Sequence, residues 1–408
     1  MNDNKRLLAG IVLLVFVTAI ISGGATAVAI YGWNYLHPQY EIEFDPQKVD
    51  IDNIKKFSHV RNVLKDTYYK DVDENAMVEG AISGMVDSLK DPYTVYFTKE
   101  QMKAFMESSE GSYVGIGVSI TVDNNGLLTI IEPFEDSPAK KAGILKDDKI
   151  IKVDDKDVTS LKDENMVIGM IKGAENTKVK VTVYRPTEGK SIDFDIIRKR
   201  IKYVNIKSEV LSNNIGYIKI SMFDSEIASD FEKHLSGLMS KGIKGLIIDL
   251  RDNPGGAYEQ VVKMADRLLP KGLIVYTEDK AKKREAQYSD EKELNLPLGI
   301  LINENSASAS EILSGAVKDH KKGELVGVKT FGKGLVQEVK LLEGGAGLKT
   351  TIARYFTPSG ICIQGIGILP DHEVKLPEKF KNTPVSQVPR EEDVQLKQAI
   401  DVVKAKIK

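Results

Sequence analysis

The stretch Asn303-Glu304-Asn305-Ser306-Ala307-Ser308-Ala309-Ser310-Glu311-Ile312-Leu313 decides how this chain reads. It follows the apolar run Leu298-Gly299-Ile300-Leu301-Ile302, which predicts a buried strand. It leads into Glu311-Ile312-Leu313-Ser314-Gly315-Ala316-Val317, which predicts a helix. A strand that turns through small residues into a helix sets its hydroxyls beside N–H groups that have no partner inside the helix. Those N–H groups can hold an oxyanion, so the turn suits a nucleophile. Serines at a helix start are also ordinary N-caps, and Ala/Ser tracts pack tightly. The segment alone leaves both readings open, although three serines at alternate positions exceed what one cap needs.

Downstream lies Thr330-Phe331-Gly332-Lys333-Gly334-Leu335-Val336-Gln337. A serine hydroxyl becomes a useful nucleophile only beside a base. Free lysine, with a pKa near ~10.4, is a poor base while protonated. Burial away from carboxylates disfavours the ammonium and lowers that value. Gly332 and Gly334 flank Lys333, with Phe331 and Leu335 next to them, which suits a desolvated amine approached by backbone as well as an ordinary turn. If the segment is extended, Lys333, Leu335 and Gln337 share a face, and Gln337 is able to orient the amine without adding charge.

SASASE followed by TFGKGxVQ resembles the carboxyl-terminal processing proteases, or tail-specific proteases, which use a Ser-Lys dyad. The resemblance links what spacing leaves apart. It implies Ser308 as nucleophile, Lys333 as base and Gln337 as the residue that supports the lysine. It covers roughly residues 40–405. A Ser-Lys pair is a variant of the Ser-His-Asp arrangement. A Ser308-His320 pair is the remaining serine reading, but a helix rising about 1.5 Å per residue carries His320 away from Ser308.

The length of 408 residues predicts two or three domains. A net charge of -2 gives no bulk signal for nucleic acid. A single cysteine excludes an intramolecular disulfide, and Cys362, between Ile361 and Ile363, reads as a packing residue. No His-Glu-x-x-His pattern occurs among the histidines, so neither a metal nor another cofactor is expected. Residues 7–31 carry no charge and are long enough for a membrane-spanning helix of ~20 residues. Lys5 and Arg6 precede them, Glu41, Glu43 and Asp45 follow, and Trp33 and Tyr35 fit an interfacial belt. This predicts a single-pass anchor at the cell membrane with the rest of the chain outside the cytoplasm. A secretory signal cleaved near Ala25-Thr26-Ala27 is the competing reading, and then the chain is secreted.

Between Pro38 and Glu110 the pattern is helical: Phe57, Val60, Val63 and Leu64 recur at helix spacing, as do Met77, Ala81, Met85 and Leu89. Thr98 reads as the cap of a further helix, and nothing in this region points to chemistry. The resemblance makes it a helical arm that often dimerises, with Ser88 to Thr94 matching the family pattern. Near Gly111 the chain turns to short strands. Gly115-Ile116-Gly117-Val118 resembles the loop of PDZ domains, which offers backbone N–H groups to a peptide's terminal carboxylate while the peptide adds as a strand. Many relatives have Arg-Gly where this chain has Lys172-Gly173, which puts any relay of tail binding through that arginine in doubt.

Gly245 to Leu250 reads as a buried strand leading to Arg251-Asp252-Asn253-Pro254-Gly255-Gly256, and Tyr258 to Leu269 as a helix. A Gly-Gly pair there is either a plain turn or a place where backbone N–H groups face a site. The match of DLRDNPGG to the family implies the latter, with Gly255 or Gly256 and Ala309 supplying oxyanion N–H groups. Alternating strands and helices imply an α/β unit, and the resemblance a crotonase/ClpP-like core. The expected fold is therefore α+β and multidomain. Its parts are a short cytoplasmic end and anchor (1–37), a helical arm (38–110), a PDZ domain (111–200), the protease core (201–376), and a polar linker with a final helix from about Glu391 (377–408). The expected activity is serine endopeptidase cleavage of proteins whose C-terminal tails dock on the PDZ domain, with a homodimer as the assembly. A tail-binding scaffold with an inert protease-like domain is the alternative, against which Lys333 argues.

Overall fold

A computed structural model describes residues 51–123, 126–160, 164–381 and 383–407. The 7–31 segment read as an anchor lies outside them. The chain divides into two units, residues up to Val78 and Glu79–Lys408. In the first, helix α1 (Ile51–Thr67) has no buried side chain, and Asp73 caps the start of α2 (Glu74–Asp87) by accepting from the Ala76 N–H at 3.0 Å. The predicted apolar spacing of Phe57, Val60 and Leu64 thus falls on a helix, with all three exposed.

The second unit begins within α2, at Glu79, and continues with strand β1 (Val95–Phe97) and helix α3 (Lys99–Ser109). Thr98 caps α3 in a reciprocal box: its hydroxyl accepts from the Gln101 N–H, and the Gln101 side chain accepts from the Thr98 N–H at 2.9 Å.

Next comes the segment that resembles a PDZ domain. It comprises β2 (Ser112–Gly115), β3 (Val118–Val122), β4 (Leu128–Pro133), α4 (Pro138–Ala142), β5 (Lys149–Val153), β6 (Lys156–Asp157), α5 (Glu164–Ile171), β7 (Lys178–Arg185), β8 (Lys190–Ile197) and β9 (Lys199–Lys202). Strands β3, β4, β5, β7 and β8 form one sheet in that order, with β6 on β5. Ile130, Ile144, Ile150, Val179, Val181 and Val183 fill its own core. Where the chain enters and leaves, β2 and β9 pair antiparallel as a two-stranded stalk.

The remainder contains β10 (Ile206–Leu211), β11 (Ile215–Ile220), α6 (Ile227–Ser240), β12 (Gly245–Asp249), α7 (Tyr258–Leu268), β13 (Gly272–Asp279), β14 (Arg284–Ser289), β15 (Leu298–Ile302), α8 (Ala309–Asp319), β16 (Gly323–Gly327), β17 (Leu335–Leu341), β18 (Gly347–Phe356), β19 (His372–Glu373) and α9 (Val394–Ala405). A six-stranded sheet runs β10-β11-β12-β15-β16-β19, parallel except for the β10–β11 pair. Side-chain alternation divides it between two cores. Ile218, Leu246, Ile248 and Ile300 pack with Phe231, Met264, Leu313 and Ala316 of α6, α7 and α8. Ile215, Ile247, Leu301 and Val326 pack with Leu396, Ala399 and Val403 of α9. Covered on both faces, β12 and β15 are buried along their whole length, which is why their sequences run apolar without alternation. A second, antiparallel sheet runs β1-β18-β13-β14, with β17 on β18.

The C-terminal segment differs from expectation. Residues 377–389 read as a polar linker, yet Val385 is buried and its N–H donates to the Asp252 carboxylate at 2.8 Å. The final helix starts at Val394 rather than near Glu391. Asp393 supplies its cap, accepting from the Leu396 N–H at 3.0 Å.

Candidate active site

Strands β12 and β15 are parallel neighbours, so the loops at their carboxyl ends lie side by side. The outer serines of the alternating trio join them. The Ser306 hydroxyl donates to the Leu250 carbonyl at 2.8 Å, and the Ser310 hydroxyl to the Asn253 carbonyl at 3.0 Å. Both side chains are fully buried. The middle one, Ser308, is half-buried, caps α8 with φ 53 and ψ -113, and lines a cavity of about 590 Å³. A non-glycine residue there carries backbone strain of roughly 1–3 kcal/mol, and the loops that hold it must supply the compensation. Gly255 is part of that hold. At φ +104, a Cβ on it would stand 2.8 Å from the Ser308 Cβ, so the two loops pack with no room for a side chain.

Lys333 enters the same cavity from the loop before β17. Its flanking glycines do allow close backbone approach: a Cβ at Gly332 would lie 2.9 Å from the Gly367 nitrogen, and one at Gly334 2.6 Å from the Gln364 nitrogen. The surroundings differ from the expectation that carboxylates stay away. Fully buried Glu311 accepts from the N–H groups of Ser308 at 2.9 Å, Lys333 at 2.8 Å and Gly332 at 2.7 Å, and from the Thr330 hydroxyl at 2.6 Å. Four donors on two oxygens is the pattern an ionised carboxylate satisfies. Burial pushes the Glu311 carboxyl up from its ordinary value, against those hydrogen bonds. Burial also pushes the Lys333 amine down, helped by the charge of Lys349, while Glu311 and Asp91 pull it back up. The net shift is downward, toward a neutral amine.

The Lys333 Nζ rests 4.9 Å from the centroid of the Tyr93 ring, with no hydrogen bond to the Ser308 hydroxyl in this conformation. Lys333 also borders a second cavity of about 1290 Å³, whose lining includes Tyr93, Asp252, Phe331 and Phe380. The buried Tyr355 hydroxyl donates to the main-chain carbonyls of both Ser308 and Lys333, tying the two loops at one point. Gln337 shares the Ser308 cavity, but its amide donates to the Thr351 hydroxyl at 3.5 Å, and a bulge between Val336 and Gln337 interrupts the alternation along β17.

Of the backbone donors read from sequence, the Gly255 N–H is engaged by the Asn253 side chain at 2.9 Å. Among the described residues, the N–H groups of Gly256 and Ala309 have no partner. Gly256, at φ +140, is fixed by the bridge to Phe223, where a Cβ would fall 2.1 Å from the Phe223 carbonyl oxygen. The loop Gly115-Ile116-Gly117-Val118 sits apart from this cavity, between β2 and β3. Gly117 has φ +78, Ile116 is buried, and their carbonyls accept from Phe134 at 3.0 Å and Ala139 at 2.9 Å respectively. Lys172 packs over the Tyr113 ring at 5.0 Å and stands 3.7 Å from Glu107 of α3. His320 ends α8 and bonds the Leu273 carbonyl at 2.7 Å, away from Ser308.

Sequence reasoning missed Glu311, Tyr93, Tyr355 and Lys349. Glu311 was visible within SASASE, three residues past Ser308, where a capping-box glutamate stands. Tyr93 fell in the region read as free of chemistry.

Comparison with known proteins follows the same layout. The model for peptidase family S41 matches residues 214–374, that for a PDZ domain residues 114–197, and that for the activating protease CtpB N-terminal domain residues 30–101. The carboxy-terminal processing protease CtpA of Bacillus subtilis (strain 168) is 35% identical over 370 residues, covering 90% of this chain and 78% of its own. The chain belongs to peptidase family S41. Within S41 it groups with the PDZ-bearing carboxy-terminal processing serine proteases. A probable CtpA-like serine protease of Staphylococcus aureus (strain COL) is 37% identical over 335 residues, 81% of this chain, and the chain spans 66% of that relative's length. The solved photosystem II D1 C-terminal processing protease is 29% identical, covering 79% of this S41 chain and 88% of its own, with a TM-score of 0.47.

Proposed function

We propose that this chain is a membrane-anchored, extracytoplasmic serine endopeptidase that cleaves proteins whose C-terminal tails dock on its PDZ domain. The observation that carries the reading is the shared cavity. Ser308, Lys333, Gln337 and the unpartnered N–H groups of Gly256 and Ala309 converge on it, and the Lys333 amine is biased toward its neutral form. In the competent state the Lys333 amine swings from the Tyr93 face to the Ser308 hydroxyl and takes its proton as Ser308 Oγ attacks the peptide carbonyl. The developing oxyanion rests on the Gly256 N–H and on the Ala309 N–H at the start of α8, where the helix dipole favours negative charge. Lys333 returns the proton to the leaving amine; it then takes a proton from the water that attacks the acyl carbonyl and gives it to Ser308 Oγ as the acyl–oxygen bond breaks. Gln337 orients the amine without neutralising its role. The uncharged 7–31 segment supports the anchor, and the exposed apolar positions of α1 support a homodimer.

The test is turnover of a quenched peptide carrying an apolar C-terminal tail. Ser308→Ala and Lys333→Ala proteins should each lose at least ~10³-fold in kcat with the fold intact by circular dichroism. Wild-type turnover in either variant would refute the assignment.

A further inference from the structure

A second lysine lines the catalytic cavity, and beyond the effect of its charge on Lys333 the proposed chemistry gives it no contact with substrate. Lys349 lies on β18, flanked across the sheet by Val95 of β1 and Val339 of β17, so neither neighbouring strand presents it a carboxylate. Its Nζ sits 5.5 Å from the Phe97 ring centroid and 5.6 Å from that of Phe105. The two rings stack on each other with centroids 5.0 Å apart. The ammonium is thus held over an aromatic pair on the wall that also carries Ser308, Lys333 and Phe105. Among the described residues it has no ion pair and no hydrogen bond, and the one acidic residue lining the cavity is Glu259.

Ring faces attract the charge but accept only weakly from three N–H donors. A half-buried ammonium in that position is left with donors that no protein group uses, on the wall of the cavity. An apolar side chain would fasten α3 to the sheet with less desolvation, so packing alone does not call for lysine here. Burial holds the Lys349 amine below its usual range, and a carboxylate arriving in the cavity would offset that cost.

Resting on the protease reading above, we propose that Lys349 is a specificity residue that binds a carboxylate of the substrate chain within the catalytic cavity. The carboxylate is either an Asp or Glu side chain close to the cleaved bond or the free α-carboxylate of a chain end.

Two arms separate those sources. In the first, quenched peptides with one common tail carry Glu or Gln at each of the three positions on either side of the cleaved bond. In the second, the fragment ending at the cleaved bond is compared as free acid and as amide. Both arms use wild type, Lys349→Met, which keeps the stem over the rings, and Lys349→Arg, which keeps the charge. The expected result is a preference of about tenfold for the acidic member in one arm, which collapses toward unity in Lys349→Met and survives in Lys349→Arg. The PDZ domain also prefers free acids, but that contribution is the same in all three proteins and drops out of the comparison. Ratios equal in wild type and Lys349→Met overturn the proposal, including the case where the variant slows every peptide alike. Calorimetry of the Glu and Gln peptides and of the acid and amide fragments on Ser308→Ala and Ser308→Ala/Lys349→Met proteins reads both differences without turnover. If wild type cleaves nothing, the protease reading fails, while the calorimetric difference still decides Lys349.

Discussion

At Lys333 the competition between proton affinity and burial is open to measurement. Burial and Lys349 disfavour the ammonium, whereas Glu311 and Asp91 favour it. On the proposed mechanism only the neutral amine accepts the Ser308 proton, so kcat/KM should rise with pH through a midpoint below the ordinary lysine value of ~10.4. The signs of two variants follow. Lys349→Met removes a like charge, makes the ammonium easier to hold, and should move the midpoint up. Asp91→Asn removes an opposite charge and should move it down. A pH–rate profile for the three proteins checks this, and shifts of the same sign in both variants would rule out the electrostatic account. The Asp91 effect also exposes what sequence order hides. Asp91 accepts from the Thr94 hydroxyl at 2.7 Å, and that hydroxyl in turn accepts from the Thr351 N–H at 3.1 Å. This links residues that no local periodicity could connect.

Among the elements, α9 is the one whose role exceeds its sequence pattern. Its apolar spacing announced a helix that packs on something. Its cap residue Asp393 also accepts from the buried Arg251 guanidinium at 2.9 and 2.8 Å. Arg251 in addition donates to Asp249 at 3.0 and 2.7 Å and to Gln395 at 3.0 Å. Arg251 leads directly into the Asp252 to Gly256 loop, so α9 anchors the base of one of the two loops that line the Ser308 cavity. The paired charges of Arg251 and Lys219 hold the Asp249 carboxyl well below the usual carboxylate range despite its complete burial. Asp393→Ala would leave Arg251 with a single carboxylate and α9 without its cap. We expect a loss of about 3 kcal/mol or more in urea unfolding, the range for breaking a buried pair. A loss under ~1 kcal/mol would mean that α9 does not anchor the loop. The strand–turn–helix around Ser308 was legible because its signals are local: an apolar run, small residues, then helix spacing. The Arg251–Asp393 pair was not, because a buried ion pair across 142 positions leaves no periodic trace.

Over the whole molecule, the PDZ segment keeps its core to itself. Its buried cluster shares no residue with the clusters of the six-stranded sheet. A module of about 90 residues with its own core is within the range that folds alone. A fragment spanning residues 110–204 should therefore melt in one cooperative transition, followed by circular dichroism. A non-cooperative, gradual loss of signal would show that it needs the rest of the chain. The composition shift near Gly111 announced this unit in the sequence. Its junction contacts, such as Lys172 with Glu107, depend on how α3 is placed and could not be read there.

The stalk formed by β2 and β9 has a practical side. Because the strands that begin and end the PDZ insertion are paired, from Ser112 with Lys202 to Gly115 with Lys199, its two chain ends meet at one place. On the proposed function, a foreign reader of peptide ends could be spliced in at that single seam without stretching the other half, and the choice of targets could be rewritten while the cutting chemistry stayed as it is.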